Sequence, residues 1–115
     1  MSAISTHVLD AVLGKPASGI AIRLEKLEKH EKQSAAGWIT IAEGATDSDG
    51  RCRNLCPDAG KGLYRLTFAV AAYFERHSRT SIYPEIAIAV LVDGETSYHI
   101  PLLLSDNSYT TYRGS

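Results

Sequence analysis

The chain has 115 residues, 44% hydrophobic and 22% charged: one domain's length, and the balance of a soluble globular chain that can bury a core without staples. A formal net charge of -1 and a pI near 6.4 exclude the basic footprint of a nucleic-acid binder, and no stretch is long and apolar enough to span a membrane. The opening "MSAISTHVLD" lacks the basic and apolar regions of a secretory signal, and the closing "RGS" is not the peroxisomal tripeptide, so the expected compartment is the cytoplasm.

Most of the chain reads at period two. In "ISTHVL", Ile4, Thr6 and Val8 share one face, and Ser5, His7 and Leu9 the other. "LGKPASG" is a turn punctuated by Pro16 and Gly19, after which "IAIRLEKLE" sets Ile20, Ile22 and Leu24 inward. The charge run "EKLEKHEKQS" predicts solvated strand ends and a hairpin loop, and "WITIAEG" the next strand. "TDSDG" is a turn whose Asp49-Gly50 pair suits left-handed positions; "RCRNL" is a short strand or irregular edge.

After the turn "PDAGKG", "GLYRLTF" resumes the strand pattern. In "AVAAYFERHSR" the period changes: Val70, Tyr73, Phe74 and His77 fall on one helical face, which predicts one short helix. "PEIAIAVLV" places Ile86, Ile88, Val90 and Val92 on one face and Ala87, Ala89 and Leu91 on the other. A strand apolar on both faces is either central in a sandwich or covered by a partner subunit. Pro101 in "SYHIPLLLS" demotes that strand to an edge or bulge, and "NSYTTYR" is the last strand. About eight short strands with one helix predict an all-β sandwich in two sheets, a single domain over residues 1–115.

Cys52 and Cys56 are too few for a structural zinc site and, in a reducing compartment, read as two ordinary thiols. His30 in "EKHEK" reads as a surface residue, and His77 as an imidazole set against the negative pole of the helix. His7 and His99 each lie inside a strand, on the face opposite its most apolar one. Periodicity alone reads them as satisfied histidines under a sheet edge, and Arg51 and Arg113 as surface cations. There is no phosphate loop, nucleophile elbow or paired carboxylate, and no third metal ligand beside the two strand histidines.

Two stretches carry more than composition does. "HVLDAVLGKPASGIAI" (7–22) resembles the N-terminal signature of the transthyretin family, with its Leu-Asp pair, Gly-x-Pro-Ala turn and alternating aliphatics. "YHIPLLLSDNSYTTYRGS" (98–115) resembles the C-terminal signature and departs from it at Asp106 and Asn107. "TDSDGR" resembles the family's Asp-Gly-Arg turn, and the strand-helix-strand order of 63–92 fits as well.

The resemblance implies a transthyretin-like β-sandwich and one of two functions: a carrier binding a small aromatic ligand in a tetramer channel, or a hydrolase acting on 5-hydroxyisourate in urate catabolism. The ending Tyr-Arg-Gly-Ser, together with His7 and His99, resembles the hydrolase branch. Carried over residue by residue, the resemblance implies that His7, Arg51, His99, Tyr112, Arg113, Gly114 and Ser115 line the site. It further implies a homotetramer, as a dimer of dimers, with sites between subunits and no metal or organic cofactor.

Such chemistry suits these residue types. Neutral imidazole is a base matched to neutral pH. A nearby guanidinium holds the imidazole neutral and can receive a developing oxyanion. Glycine lets the backbone pass close to a ligand.

Overall fold

Strand β1 (Ser2–Asp10) alternates without interruption: Ser2, Ile4, Thr6, Val8 and Asp10 are buried, and Ala3, Ser5, His7 and Leu9 lie on the outer face. The computed structural model describes residues 2–28 and 37–114. The hydroxyls on the inner face of β1 are satisfied by backbone. Ser2 Oγ donates to the Glu95 carbonyl, and Thr6 Oγ1 donates to the Ile100 carbonyl at 2.5 Å.

After β1 come β2 (Lys15–Pro16), β3 (Ala21–Glu28), β4 (Gly37–Ala45), β5 (Arg51–Ala59) and β6 (Gly62–Phe68). Helix α1 (Val70–Arg76), β7 (Ile86–Val92), β8 (Ser97–Leu104) and β9 (Tyr109–Thr111) complete the order. One sheet runs β2-β1-β8-β9, with β5 also paired to β1; the other runs β4-β3-β6-β7. Ile4, Val8, Leu102 and Leu104 from the first sheet meet Ile22, Leu24, Tyr64, Leu66, Phe68 and Ile86 from the second in one apolar core. The expected all-β sandwich is therefore present.

Four local expectations change. The turn after β1 closes tightly, because Asp10 Oδ1 accepts the Val12 and Leu13 N–H groups, and this leaves room for the two-residue β2 paired to Leu9 and Asp10. Strand β5 runs on through Pro57 to Ala59, in what reads as a turn. Its ladder is to β1 alone, so a proline without an N–H is tolerated. In the "TDSDG" turn only Gly50 is left-handed (φ 74°), and a Cβ there would lie 2.4 Å from the Val8 carbonyl oxygen. Strand β7 is not central: it is the sheet's outer strand, with Ile86 and Val92 buried in the core and the opposite face open, Leu91 being 67% exposed.

Pro101 does not place β8 at an edge. The strand lies between β1, to which it is parallel, and β9. The Pro101 carbonyl faces β9, where the Thr111 hydroxyl donates to it at 2.8 Å, so the missing N–H falls on that side too. Strand β9 accordingly stops at Thr111 instead of running to Arg113. The pairing resumes in the same register at an isolated bridge, His99 to Gly114.

Helix α1 ends one residue before His77, and Ser78 turns left-handed (φ 52°). As expected for a helix end, the His77 ring meets the Tyr73 carbonyl at 2.9 Å and stacks on the Tyr73 ring. Asp10 is fully buried; it accepts from the Tyr73 hydroxyl at 2.7 Å and from Arg79, which also pairs with Asp106. His30 lies outside the described residues.

Candidate active site

The outer face of β1 sets the site. Register puts Arg51 of β5 directly across from His7, and His99 of β8 directly across from Ser5. Three side chains expected to act together therefore share one face on three adjacent strands. Directly opposed residues have Cβ atoms about 5 Å apart and diagonal neighbours about 7–8 Å. An open cleft of ≈ 350 Å³ lies here, lined by Ser5, Thr6, Arg51, Arg53, Ser97 and His99.

The Asp-Gly-Arg turn anchors two members at once. Asp47 Oδ1 accepts the N–H groups of Asp49 (2.8 Å) and Arg51 (3.0 Å), and the Val8 N–H donates to the Gly50 carbonyl at 2.7 Å, which docks the turn on β1. The hydrogen bonds from the Arg51 and Asp49 amides hold the Asp47 carboxyl below its ordinary range against burial. His7 Nε2 lies 2.9 Å from the Asp49 carbonyl. A carbonyl only accepts, so Nε2 carries the proton, and a neutral His7 has its lone pair on Nδ1. The His7 ring leans on the turn and is not a wall of the cleft.

His99 is held on two sides. Nδ1 is 2.8 Å from the Ser5 hydroxyl, and the Gly114 backbone lies against the opposite edge of the ring. A Cβ on residue 114 would sit 2.7 Å from His99 Cδ2, so glycine serves this contact with the imidazole. Burial, then the charge of Arg51, then His7, lower the His99 pKa. The shift favours the neutral imidazole, the form able to accept a proton.

The tail residues divide. Gly114 joins the His99 face, while Arg113 stacks over the Tyr98 ring at 4.6 Å and donates to the Ser97 carbonyl at 3.3 Å. Arg113 and the exposed Tyr112 border a separate apolar groove of ≈ 300 Å³ with Val90, Leu91 and Ile100. Within one chain, then, His7, Arg51, His99 and Gly114 come together, and the side chains of Tyr112 and Arg113 do not join them. Ser115 lies outside the described residues. Among the described residues no cluster of three or more His, Cys, Asp or Glu could hold a metal ion. Both cysteines are free, and burial raises the Cys52 pKa.

The family model described as HIUase/Transthyretin family matches residues 4–114. The chain belongs to that family. It is 41% identical to the 5-hydroxyisourate hydrolase of Mus musculus, over 99% of this chain and 96% of the mouse protein. The solved structure of Klebsiella pneumoniae 5-hydroxyisourate hydrolase superposes with a TM-score of 0.84 at 33% identity, covering 100% of both chains. Transthyretin from Sparus aurata superposes equally well, with a TM-score of 0.86 at 30% identity over 99% of this chain and 97% of that one.

Family membership accounts for the frame; the cleft shows what the sequence reading passed over. Ser5, Arg53 and Ser97 line it, and none was singled out. The signal for Ser5 was available: it shares the outer face of β1 with His7, and a hydroxyl there invites a polar partner. The same period-two signal covers Arg53, two residues from Arg51 on β5, and Ser97, two residues from His99 on β8; only the pairing of those strands to β1 brings the three faces together.

Proposed function

We propose that this chain hydrolyses 5-hydroxyisourate to 2-oxo-4-hydroxy-4-carboxy-5-ureidoimidazoline. One observation carries the reading: the His99 imidazole faces an open polar cleft beside the Arg51 cation, which together with burial lowers its pKa, on a fold shared almost equally with a carrier. A hydrophobic ligand would gain nothing from these groups, and burying them without partners is costly. Water adding to a lactam carbonyl does need them. The relatives named as 5-hydroxyisourate hydrolases, similar over nearly their full length, support the same choice.

In this reading His7 and His99 share two tasks, removal of a proton from the attacking water and its delivery to the departing ring nitrogen. The C–O bond forms and the ring C–N bond breaks; the carbonyl carbon stays on the remaining ring as a carboxyl group, whose ionisation releases the second water proton to solvent. Arg51 stabilises the oxyanion formed on the carbonyl oxygen, a contribution of about 3–4 kcal/mol for one such donor in a dry site. Tyr112, Arg113 and Ser115 are assigned to substrate contact across a subunit boundary, in a cytoplasmic homotetramer built as a dimer of dimers. The exposed Leu91 on the outer strand β7, and the short outer strand β9, favour assembly through that side of the sandwich.

The test is spectroscopic. Urate oxidase generates 5-hydroxyisourate in the cuvette, and its slow ultraviolet decay should accelerate in proportion to added protein. An unchanged decay, with tight binding of an iodinated aromatic instead, would replace the hydrolase with the carrier.

A further inference from the structure

The C-terminal tail that meets His99 is poorly held by its own ladder. Strand β9 is three residues long, it is the outermost strand of its sheet, and Pro101 removes the N–H that would bond it near Tyr112. A strand so short, with one neighbour and an interrupted ladder, opens easily. Yet the register survives across the gap and Gly114 donates to the His99 carbonyl at 2.8 Å.

The segment between α1 and β7 supplies what the ladder lacks. It touches the β8–β9 hairpin at three consecutive points. Arg79 Nε donates to Asp106 Oδ1 at 3.0 Å, and its Nη2 donates to the same oxygen. The Ile82 N–H donates to Asn107 Oδ1 at 2.9 Å, and the Tyr83 ring packs edge-on against Tyr109 at 5.4 Å. The Arg79 end of this clasp is itself fixed, because Arg79 also pairs with the fully buried Asp10. Asp106 and Asn107 are the two positions at which the C-terminal stretch departs from the family signature.

The geometry points to Asp106 and Asn107 as positioning residues: by tying the β8–β9 turn to the α1–β7 segment, they hold the tail in register so that Gly114 backs the His99 ring. They touch neither the cleft nor its lining residues, and they act through β9. The inference deepens the hydrolase reading above and rests on it only for its effect on turnover.

Hydrogen–deuterium exchange by NMR tests it on the intact protein. In Asp106→Ala and Asn107→Ala, the Gly114 amide should exchange about tenfold faster or more, while the Leu66 amide in the core ladder of β6 keeps its rate. kcat for 5-hydroxyisourate should fall below the parent's, with Tm within a few degrees of the parent. Asn107→Asp keeps an acceptor oxygen for the Ile82 N–H and should restore both. Unchanged exchange at Gly114 overturns the inference whatever the activity does. So does acceleration shared equally by Leu66, or a loss of activity that tracks a changed oligomeric mass. If the parent protein leaves 5-hydroxyisourate untouched, the hydrolase reading fails while the exchange measurement still decides the clasp.

Discussion

Arg51 and His99 illustrate how one charge can do two things. The guanidinium disfavours the imidazolium beside it, adding to the effect of burial, and so keeps a base available below its ordinary pKa of 6.5. The acid limb of kcat/KM should therefore lie below pH 6.5. In Arg51→Gln the cation is gone, the imidazolium forms more readily, and the limb should move to higher pH while kcat drops by about 10²-fold or more. A pH–rate series on the two proteins checks this, and a limb that stays in place separates Arg51 from His99. Gly114→Ala addresses the other edge of the ring. The added methyl at 2.7 Å from His99 Cδ2 forces either the tail or the ring to move, and moving the ring breaks its bond to Ser5. Activity should fall by about tenfold or more with the thermal midpoint little changed, because residue 114 lies outside the core.

At the scale of elements, β1 and α1 meet at Asp10, and Arg79 ties that point to the β8–β9 turn. Burial pushes the Asp10 carboxyl up, yet hydrogen bonds from Arg79, Tyr73 and the Leu13 N–H outweigh it and bring the pKa from 3.8 to about 2. Burial, followed by the hydrogen bond to Asp10, pushes Tyr73 up to about 12. A carboxyl that titrates lower in the fold than in the unfolded chain stabilises the fold above about pH 4. That contribution, on the order of 2 kcal/mol, disappears as the pH falls toward 2. Asp10→Ala leaves Arg79 paired with Asp106 alone and takes the acceptor from the buried Tyr73 hydroxyl and the Leu13 N–H, and it should cost about 3–5 kcal/mol in urea unfolding. It should also flatten the acid side of the stability–pH curve. An unchanged acid transition would show that Asp10 is not its cause. Since Arg79 links Asp10 to Asp106, the same substitution should also loosen the tail.

For the whole molecule, the chain terminus and the outer strands carry the predictions. Residues added after Ser115 should depress turnover more than residues added before Met1, because Gly114 packs on His99; equal rates in the two extended proteins would deny the tail a role. Leu91→Glu places a charge on the exposed apolar face of β7 and should lower the oligomeric mass seen by sedimentation. Its thermal midpoint should stay close to the parent's at low concentration. Persistence of the parent mass would move the subunit interface away from β7.

Much of this was legible in the chain, for a local reason. The period-two alternation in "ISTHVL" decides which of its side chains face the core, and Val70, Tyr73 and Phe74 at helical spacing decide the buried face of α1. The stretches "HVLDAVLGKPASGIAI", "TDSDGR" and "YHIPLLLSDNSYTTYRGS" marked the family, and His7, Arg51, His99, Tyr112, Arg113, Gly114 and Ser115 as candidate site residues. Proximity was not legible. That Arg51 faces His7 depends on two register shifts in the β1–β5 ladder, and that Ser5 reaches His99 depends on a parallel pairing across more than ninety residues of chain. Pro101 shows the same limit: its local rule names an edge or a bulge, and only the pairing shows an interior strand whose ladder is interrupted on the β9 side. Local periodicity decides which way a side chain points; only the tertiary pairing of strands, whose energy comes from contacts distant in sequence, decides what it meets.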